Sequence, residues 1–412
     1  MGRKSEMNTE LPVVFCHGLL GWGDDELNGH PYYVCAHELK EENDSGLPPF
    51  LFPTTGPVSS LHDQACELFF QLKGGLTDYG AEHSKKFGHK RYSRFYGDKA
   101  DCDLSKATKY GGPALCTVWD KQHPLDFVGH SMGVPVIRML QYMLAADYFY
   151  TNCGFHEHTD ASWVHSVTSV AGAQNGSPLT WILGADTDTG ILKKNALTVR
   201  FLCMLLKMEG KYQNNSRRNH FVFDLHLDQW DLDDDGKQSH MLASLAEANG
   251  EFDDGEDWAM YDLTPNAMEQ YNKFMVEYPE TWYFSYTTDA TFSLFGLAEL
   301  FVPFVCHPAL CLNALIIGNY RTQNEKWREL VKTWRCNDGM IPSEAQRFPC
   351  VGRTGKADEK RNCAGQPGMW TELKCSLLMD HAEPAMMPHR YRKKNEKKFY
   401  QKLLERIMDT RL

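Results

Sequence analysis

Val128-Gly129-His130-Ser131-Met132-Gly133 sets a serine between two glycines, the G-x-S-x-G spacing of an activated hydroxyl nucleophile. Its surroundings suit that chemistry. Leu125 to Val128 read as a short strand, and Val134 to Leu144 run with helical apolar spacing. A sharp strand-to-helix turn exposes the Ser131 hydroxyl above the sheet edge, and the two glycines let strand and helix approach closely. A serine hydroxyl also needs a base, and the base needs an acid to hold its tautomer. In this arrangement the chain order is serine, acid, histidine. Asn337-Asp338-Gly339-Met340-Ile341-Pro342 reads as a turn-rich loop after a strand, and Met379-Asp380-His381 follows the apolar Leu377 and Leu378. The expected triad is therefore Ser131, Asp338 and His381. Asp380 is the rival acid, but adjacent side chains point apart.

An acyl-transfer site further needs two backbone N–H groups for a developing oxyanion. One belongs to Met132, directly after the serine. The other should come from the loop after the first strand. That strand is Pro12 to Cys16, and the glycines of His17-Gly18-Leu19-Leu20-Gly21-Trp22-Gly23 let the backbone turn inward, which makes Leu19 the expected second donor.

These residues need an α/β scaffold. A helix is expected near Asp63 to Lys73, a strand over Trp163 to Val170 ending in a glycine-flanked turn, and a central strand at Trp282-Tyr283-Phe284-Ser285-Tyr286. Leu179 to Met208 holds more apolar side chains than one amphipathic face uses, so a lid is expected over about 178–220, with a buried helix pair as the plainer reading. The basic last stretch, from Arg390 to Lys398, continues into Phe399, Leu403, Leu404 and Ile407 on one helix face. It reads as a packed final helix, with an interfacial basic helix as the alternative.

In its motifs the chain resembles the secreted, zinc-containing lipases of thermophilic bacilli and staphylococci and their eukaryotic relatives. The resemblance runs from Pro12 to about Leu403. It is carried by His17-Gly18-Leu19-Leu20-Gly21-Trp22-Gly23, Asp78-Tyr79-Gly80-Ala81, Leu227-Asp228-Gln229-Trp230, Tyr261-Asp262-Leu263-Thr264-Pro265, Asn337-Asp338-Gly339 and Asp380-His381. Bacillar members have alanine where Gly129 stands. The resemblance implies one α/β-hydrolase domain over 1–412, with a mostly parallel central sheet, helices on both faces, a zinc-binding insert at about 57–110 and a helical lid. It implies a serine hydrolase that cleaves lipid esters of the triacylglycerol type at a lipid–water interface.

The resemblance also implies a structural zinc held by Asp63, His83, His89 and Asp228. Two imidazoles and two carboxylates suit a closed tetrahedral zinc site, although His83-x5-His89 is weak by spacing alone. Family members also bind calcium near the catalytic histidine. Glu383 stands where one ligand is expected, but the Asp-Pro that should follow is replaced by Pro384-Ala385-Met386-Met387-Pro388. One carboxylate falls short of the six or more oxygens calcium takes, which leaves calcium doubtful. Asp231-Leu232-Asp233-Asp234-Asp235-Gly236 imitates the start of an EF-hand loop. Its twelfth position is Leu242, so a solvated acidic loop is the better reading.

The chain has 412 residues, 42% hydrophobic content and a net charge of −11, enough for a large core and a poor match to nucleic acid. The 13 cysteines show no CxxC metal spacing and are odd in number, which suits a reducing compartment or a mixture of buried thiols. Met1 to Leu11 is polar and lacks a signal-peptide core. As numbered, the expectation is intracellular, or secreted if a leader has been removed. The apolar run Phe292 to Ile317 is interrupted by Glu299, Pro303, His307 and Pro308, so no transmembrane span is expected. Oligomeric state is not legible. Three other readings stay open: a phospholipase or acyltransferase with the same triad, a hydrolase in which zinc activates water, and a non-catalytic lipid-binding relative.

Overall fold

The computed structural model describes residues 11–24, 26–42, 47–192, 224–230, 256–353, 357–358, 365–374, 378–386 and 393–411. Seven strands form the central sheet, and every pairing in it is parallel. They are β1 (Val13–Cys16), β2 (Phe50–Leu51), β6 (Leu125–His130), β7 (Val164–Val170), β8 (Trp282–Thr287), β11 (Ala357–Asp358) and β12 (Trp370–Lys374). Their order is β11-β12-β8-β7-β6-β1-β2. The chain adds β2 on one side of β1 and then crosses to add β6, β7 and β8 on the other. Strand order therefore reverses between β1 and β6, where open α/β sheets place their sites at the C-terminal edge.

Both faces of the sheet are covered. Val14, Phe127, Val167 and Tyr283 pack toward α2 (Leu61–Lys73) and α4 (Gly133–Ala145), with Leu68, Phe69, Ile137 and Leu140. Val13, Phe15, Val128, Val170 and Phe284 pack the opposite way, against α1 (Val34–Glu41) and the helix Lys393–Asp409. Alternate residues of one strand serve opposite cores, so its apolar run is nearly unbroken, as a sheet buried on both faces requires. Tyr400, Leu403, Leu404 and Ile407 are buried, so the last helix is the packed element and not an interfacial one. Just beyond it, Arg411 pairs with Asp126 at the start of β6 and donates to the Leu11 carbonyl.

A smaller sheet of β3 (Gly75–Asp78), β4 (Tyr92–Tyr96) and β5 (Tyr110–Gly112) follows α2, with α3 (Ala81–Phe87) between β3 and β4. A second excursion leaves β8 and forms the hairpin β9 (Thr291–Leu294) and β10 (Ala298–Phe301), then the helices Pro308–Asn319 and Glu325–Thr333. The loop of Asp338 thus follows a helix, not the expected strand. Leu179–Ile182 is a short helix, but residues 193–220 of the expected lid and the acidic segment 231–242 lie outside the described residues. Among the described residues, no helix is long and apolar enough to cross a membrane.

Candidate active site and metal centre

β6 ends at His130, and Ser131 turns directly into α4. Ser131 has φ +55, a left-handed conformation that costs an L-residue of order 1 kcal/mol or more. Hydrogen bonds hold it there: Ser131 N–H donates to the Val170 carbonyl (3.1 Å), and Ala173 N–H donates to the Ser131 carbonyl (3.1 Å). A Cβ on Gly133 would stand 2.3 Å from the Cys16 carbonyl oxygen, and one on Gly18 would stand 2.8 Å from the Ser131 Cβ. Gly133 is therefore fixed by close approach of backbone, and Gly18 by the Ser131 Cβ.

The three residues expected from chain order meet at this edge. His381 Nε2 lies 2.9 Å from Ser131 Oγ, and His381 Nδ1 lies 2.8 Å from Asp338 Oδ2. Asp338 is fully buried and fully engaged. Its Oδ1 accepts from Met340 N–H (2.9 Å) and Ile341 N–H (2.8 Å). Its Oδ2 also accepts from the Thr288 hydroxyl (2.8 Å) and the Gln346 amide (2.9 Å). Burial alone would raise the Asp338 pKa. The His381 ring and these N–H donors outweigh burial and hold it below the usual carboxylate range. The rival, Asp380, accepts instead from the N–H groups of His307, Ala382 and Glu383.

The sequence reading missed two residues here. His130 Nε2 lies 2.9 Å from the His381 carbonyl, and Tyr32 Oη lies 2.7 Å from His130 Nδ1. Burial, helped by the His381 ring, pushes the His130 pKa down to about 3, so its ring is neutral. The carbonyl can only accept, so Nε2 carries the proton and Nδ1 accepts from the Tyr32 hydroxyl. Tyr32 in turn accepts from Gly18 N–H (3.1 Å). The x of the G-x-S motif was visible in the sequence, but its partner, 98 positions away, was not.

In the first loop Gly18 N–H and Leu20 N–H are both engaged, the latter by the Pro57 carbonyl. Leu19 N–H between them, and Met132 N–H, meet no partner among the described residues. Above Ser131 and His381 opens a cavity of about 260 Å³, walled mainly by Leu20, Leu179, Leu263, Leu310, Met340 and Ile341. This geometry can pass a proton from a hydroxyl to an imidazole beneath an apolar, acyl-sized space.

A second cluster joins α2, α3 and the segment before Tyr261. His83 Nε2 lies 3.2 Å from Asp63 Oδ1 and 3.3 Å from Asp257 Oδ1. His89 Nε2 lies 3.9 Å from Asp63 Oδ2 and 3.4 Å from Asp257 Oδ2. A tetrahedral ion with bonds near 2.05 Å sets its ligand atoms about 3.3 Å apart. Both Nε2 atoms and Asp257 Oδ2 are buried without a hydrogen-bond partner, as ligand atoms aimed at a cation would be. The four side chains are therefore compatible with a metal ion. Asp228, the fourth ligand expected from resemblance, is not among them. Its carboxylate is taken by the Arg94 guanidinium, with Lys109 3.8 Å away. Asp257 stands in its place. Glu383 is buried and joins no cluster of three ligating side chains among the described residues.

A family model described as the lipase-like C-terminal domain matches residues 9–411. A lipase of Staphylococcus hyicus is 26% identical over 398 residues, covering 90% of this chain and 53% of its own length. Lipase 1 of Staphylococcus aureus is 23% identical over 403 residues, covering 93% and 52%. The chain thus spans about half the length of the curated relatives it matches. Among solved structures, EstA of Clostridium botulinum superposes with a TM-score of 0.73 at 26% identity, over 99% of this chain and 90% of that one. The Staphylococcus hyicus lipase structure gives 0.72 at 22% identity, over 100% and 98%. The parallel sheet flanked by helices is thus a lipase-type α/β-hydrolase fold, and the chain belongs to the lipase-like family whose C-terminal domain spans nearly all of it.

Proposed function

We propose that this protein is a serine carboxylic ester hydrolase acting on lipid esters of the triacylglycerol type. One observation carries the reading: the unbroken chain from Asp338 through His381 to Ser131 at the floor of an apolar cavity. Ser131 Oγ attacks the acyl carbonyl while His381 Nε2 takes its proton, and Asp338 holds the Nδ1–H tautomer and steadies the imidazolium. The N–H groups of Leu19 and Met132 receive the oxyanion, each contributing about 3 kcal/mol to the transition state. His381 then protonates the departing alcohol, and water, deprotonated by the same ring, releases the acid from Ser131. The apolar wall of the cavity, and relatives named lipases, support a lipid acyl chain. The metal in this reading is zinc, which Asp63, His83, His89 and Asp257 would hold. With four protein ligands it would fasten the insert at 57–110 within one hydrolase domain and supply no chemistry to the reaction.

The test is turnover of p-nitrophenyl esters of graded chain length, wild type against Ser131→Ala, with fluorophosphonate labelling of the wild type. Loss of about 10³-fold or more in kcat, with an unchanged melting temperature and no labelling of the variant, is the expected result. Full activity in Ser131→Ala would end the proposal.

A further inference from the structure

The N–H of Leu19 can serve an oxyanion only while its peptide is turned toward the cavity that Leu19 lines with Ser131. That N–H shares a trans peptide with the Gly18 carbonyl, so the two point in opposite directions. The carbonyl accepts two hydrogen bonds. One comes from the ring of His17, whose Nδ1 lies 2.9 Å away, and the other from Gly21 N–H, also at 2.9 Å. Whatever holds the carbonyl therefore aims the N–H.

The His17 ring does this in one tautomer only. Thr55 N–H, which can only donate, meets His17 Nε2 at 3.0 Å. Nε2 therefore accepts, and Nδ1 carries the proton donated to the Gly18 carbonyl. The Thr55 hydroxyl donates to Gln64 Oε1 (3.0 Å). Gln64 stands on α2 and directs its amide nitrogen to the Ser59 carbonyl (2.8 Å) and to Met132 Sδ (3.7 Å). A chain of polar contacts thus runs from the Gly18 carbonyl through His17, Thr55 and Gln64 to Met132, the residue of the other N–H.

His17, Thr55 and Gln64 are all buried, and none of them lines the cavity. Apolar side chains could fill the same space, but packing alone does not orient a peptide. Directed donors and acceptors do, and a buried set that is paired throughout specifies one arrangement. We propose that His17, backed by Thr55 and Gln64, is the positioning residue of the Leu19 N–H. It sets the tilt of the Gly18–Leu19 peptide, and so how firmly that N–H holds the oxyanion, without touching substrate. The inference rests on the ester-hydrolase reading above.

The experiment measures kcat and KM in wild type, His17→Ala, His17→Asn and Gln64→Met on two substrates. One is p-nitrophenyl butyrate, and the other is its thionoester, with sulfur in place of the carbonyl oxygen. Sulfur accepts N–H donors weakly, so the thionoester draws little from Leu19 and Met132. In His17→Ala, kcat for the ester should fall about 10- to 100-fold, short of the outright loss of a donor, with KM within about twofold. The thionoester should lose about fivefold less. His17→Asn should recover most of the ester rate, because its amide N–H reaches the Gly18 carbonyl from the place of Nδ1. Gln64→Met keeps the volume but removes the amide, and should show the same selective loss by a smaller factor. The ratio of the two rates is read within one preparation, so incomplete folding of a variant leaves it undisturbed. Equal losses on both substrates, an unchanged ester kcat in His17→Ala, or a His17→Asn no faster than His17→Ala overturns the proposal. Failure of the catalytic reading would appear separately, as full ester turnover by Ser131→Ala.

Discussion

His130 Nε2–H donates to the backbone carbonyl of His381 across 2.9 Å, so the residue before Ser131 holds the residue whose ring meets the Ser131 hydroxyl. At Nδ1 the same ring accepts from the Tyr32 hydroxyl, a bond that survives only while His130 stays neutral.

That requirement has a sign. An unfolded chain protonates this imidazole below about pH 6.5, whereas the folded ring resists to about pH 3. The unfolded state binds the extra proton across that window, so stability falls with pH by up to about 1.4 kcal/mol per unit for this group. In His130→Asn the group is gone. Thermal unfolding of both proteins from pH 7 to 4.5 should show wild type losing stability faster, with the gap between them narrowing. A gap that holds constant across the range contradicts the neutral ring.

Asp338→Asn keeps the size of the side chain but would present the wrong partner to His381 Nδ1–H. Turnover should fall by about 10⁴-fold at neutral pH, with folding little changed. Asp380→Asn, whose carboxylate is engaged by backbone N–H groups, should lose far less. Comparable losses in the two variants would count against the assignment of the acid.

Asp257 and Asp228 separate the metal cluster from the Arg94 ion pair. Asp257→Asn should lower the melting temperature and remove its sensitivity to chelator. Asp228→Asn should lower it through the lost contact with Arg94 while keeping that sensitivity. In wild type, chelation should lower the melting temperature before the initial rate. The opposite pattern between the two aspartates would restore Asp228 as ligand.

Gly133→Ala would drive a methyl group to 2.3 Å from the Cys16 carbonyl oxygen, where neither backbone can move cheaply. Stability should drop by about 1–3 kcal/mol, and activity by more than the folded fraction explains, because the elbow shifts. Denaturant unfolding paired with ester turnover checks both. A silent substitution would mean that the turn is looser than its contacts imply.

The legible parts of this protein are those written locally. The elbow, β7, β8 and α2 each follow from a run of a few residues with the right period or caps. The meeting of Ser131, Asp338 and His381 followed because chain order constrains it. Of the four side chains that gather as a possible metal site, the resemblance implied Asp63, His83 and His89, which spacing alone marked only weakly, but between Asp224 and Asp262 carboxylates are abundant and chemically alike. What distinguishes Asp228 from Asp257 is the Arg94 guanidinium on a distant strand, a fact of folding and not of spacing. Tyr32 was invisible for the same reason. The Phe292 to Ile317 segment announced its apolarity in sequence but not its exposure, since a buried hairpin and helix would read the same.

The pairing of Arg411 with Asp126 and the Leu11 carbonyl brings the two ends of the described chain together at the foot of β6. Ser131 stands at the other end of that strand, about 17 Å away at the usual rise per residue. A tether placed at Leu11 or Arg411 would therefore sit on the side of the sheet away from Ser131 and the cavity above it.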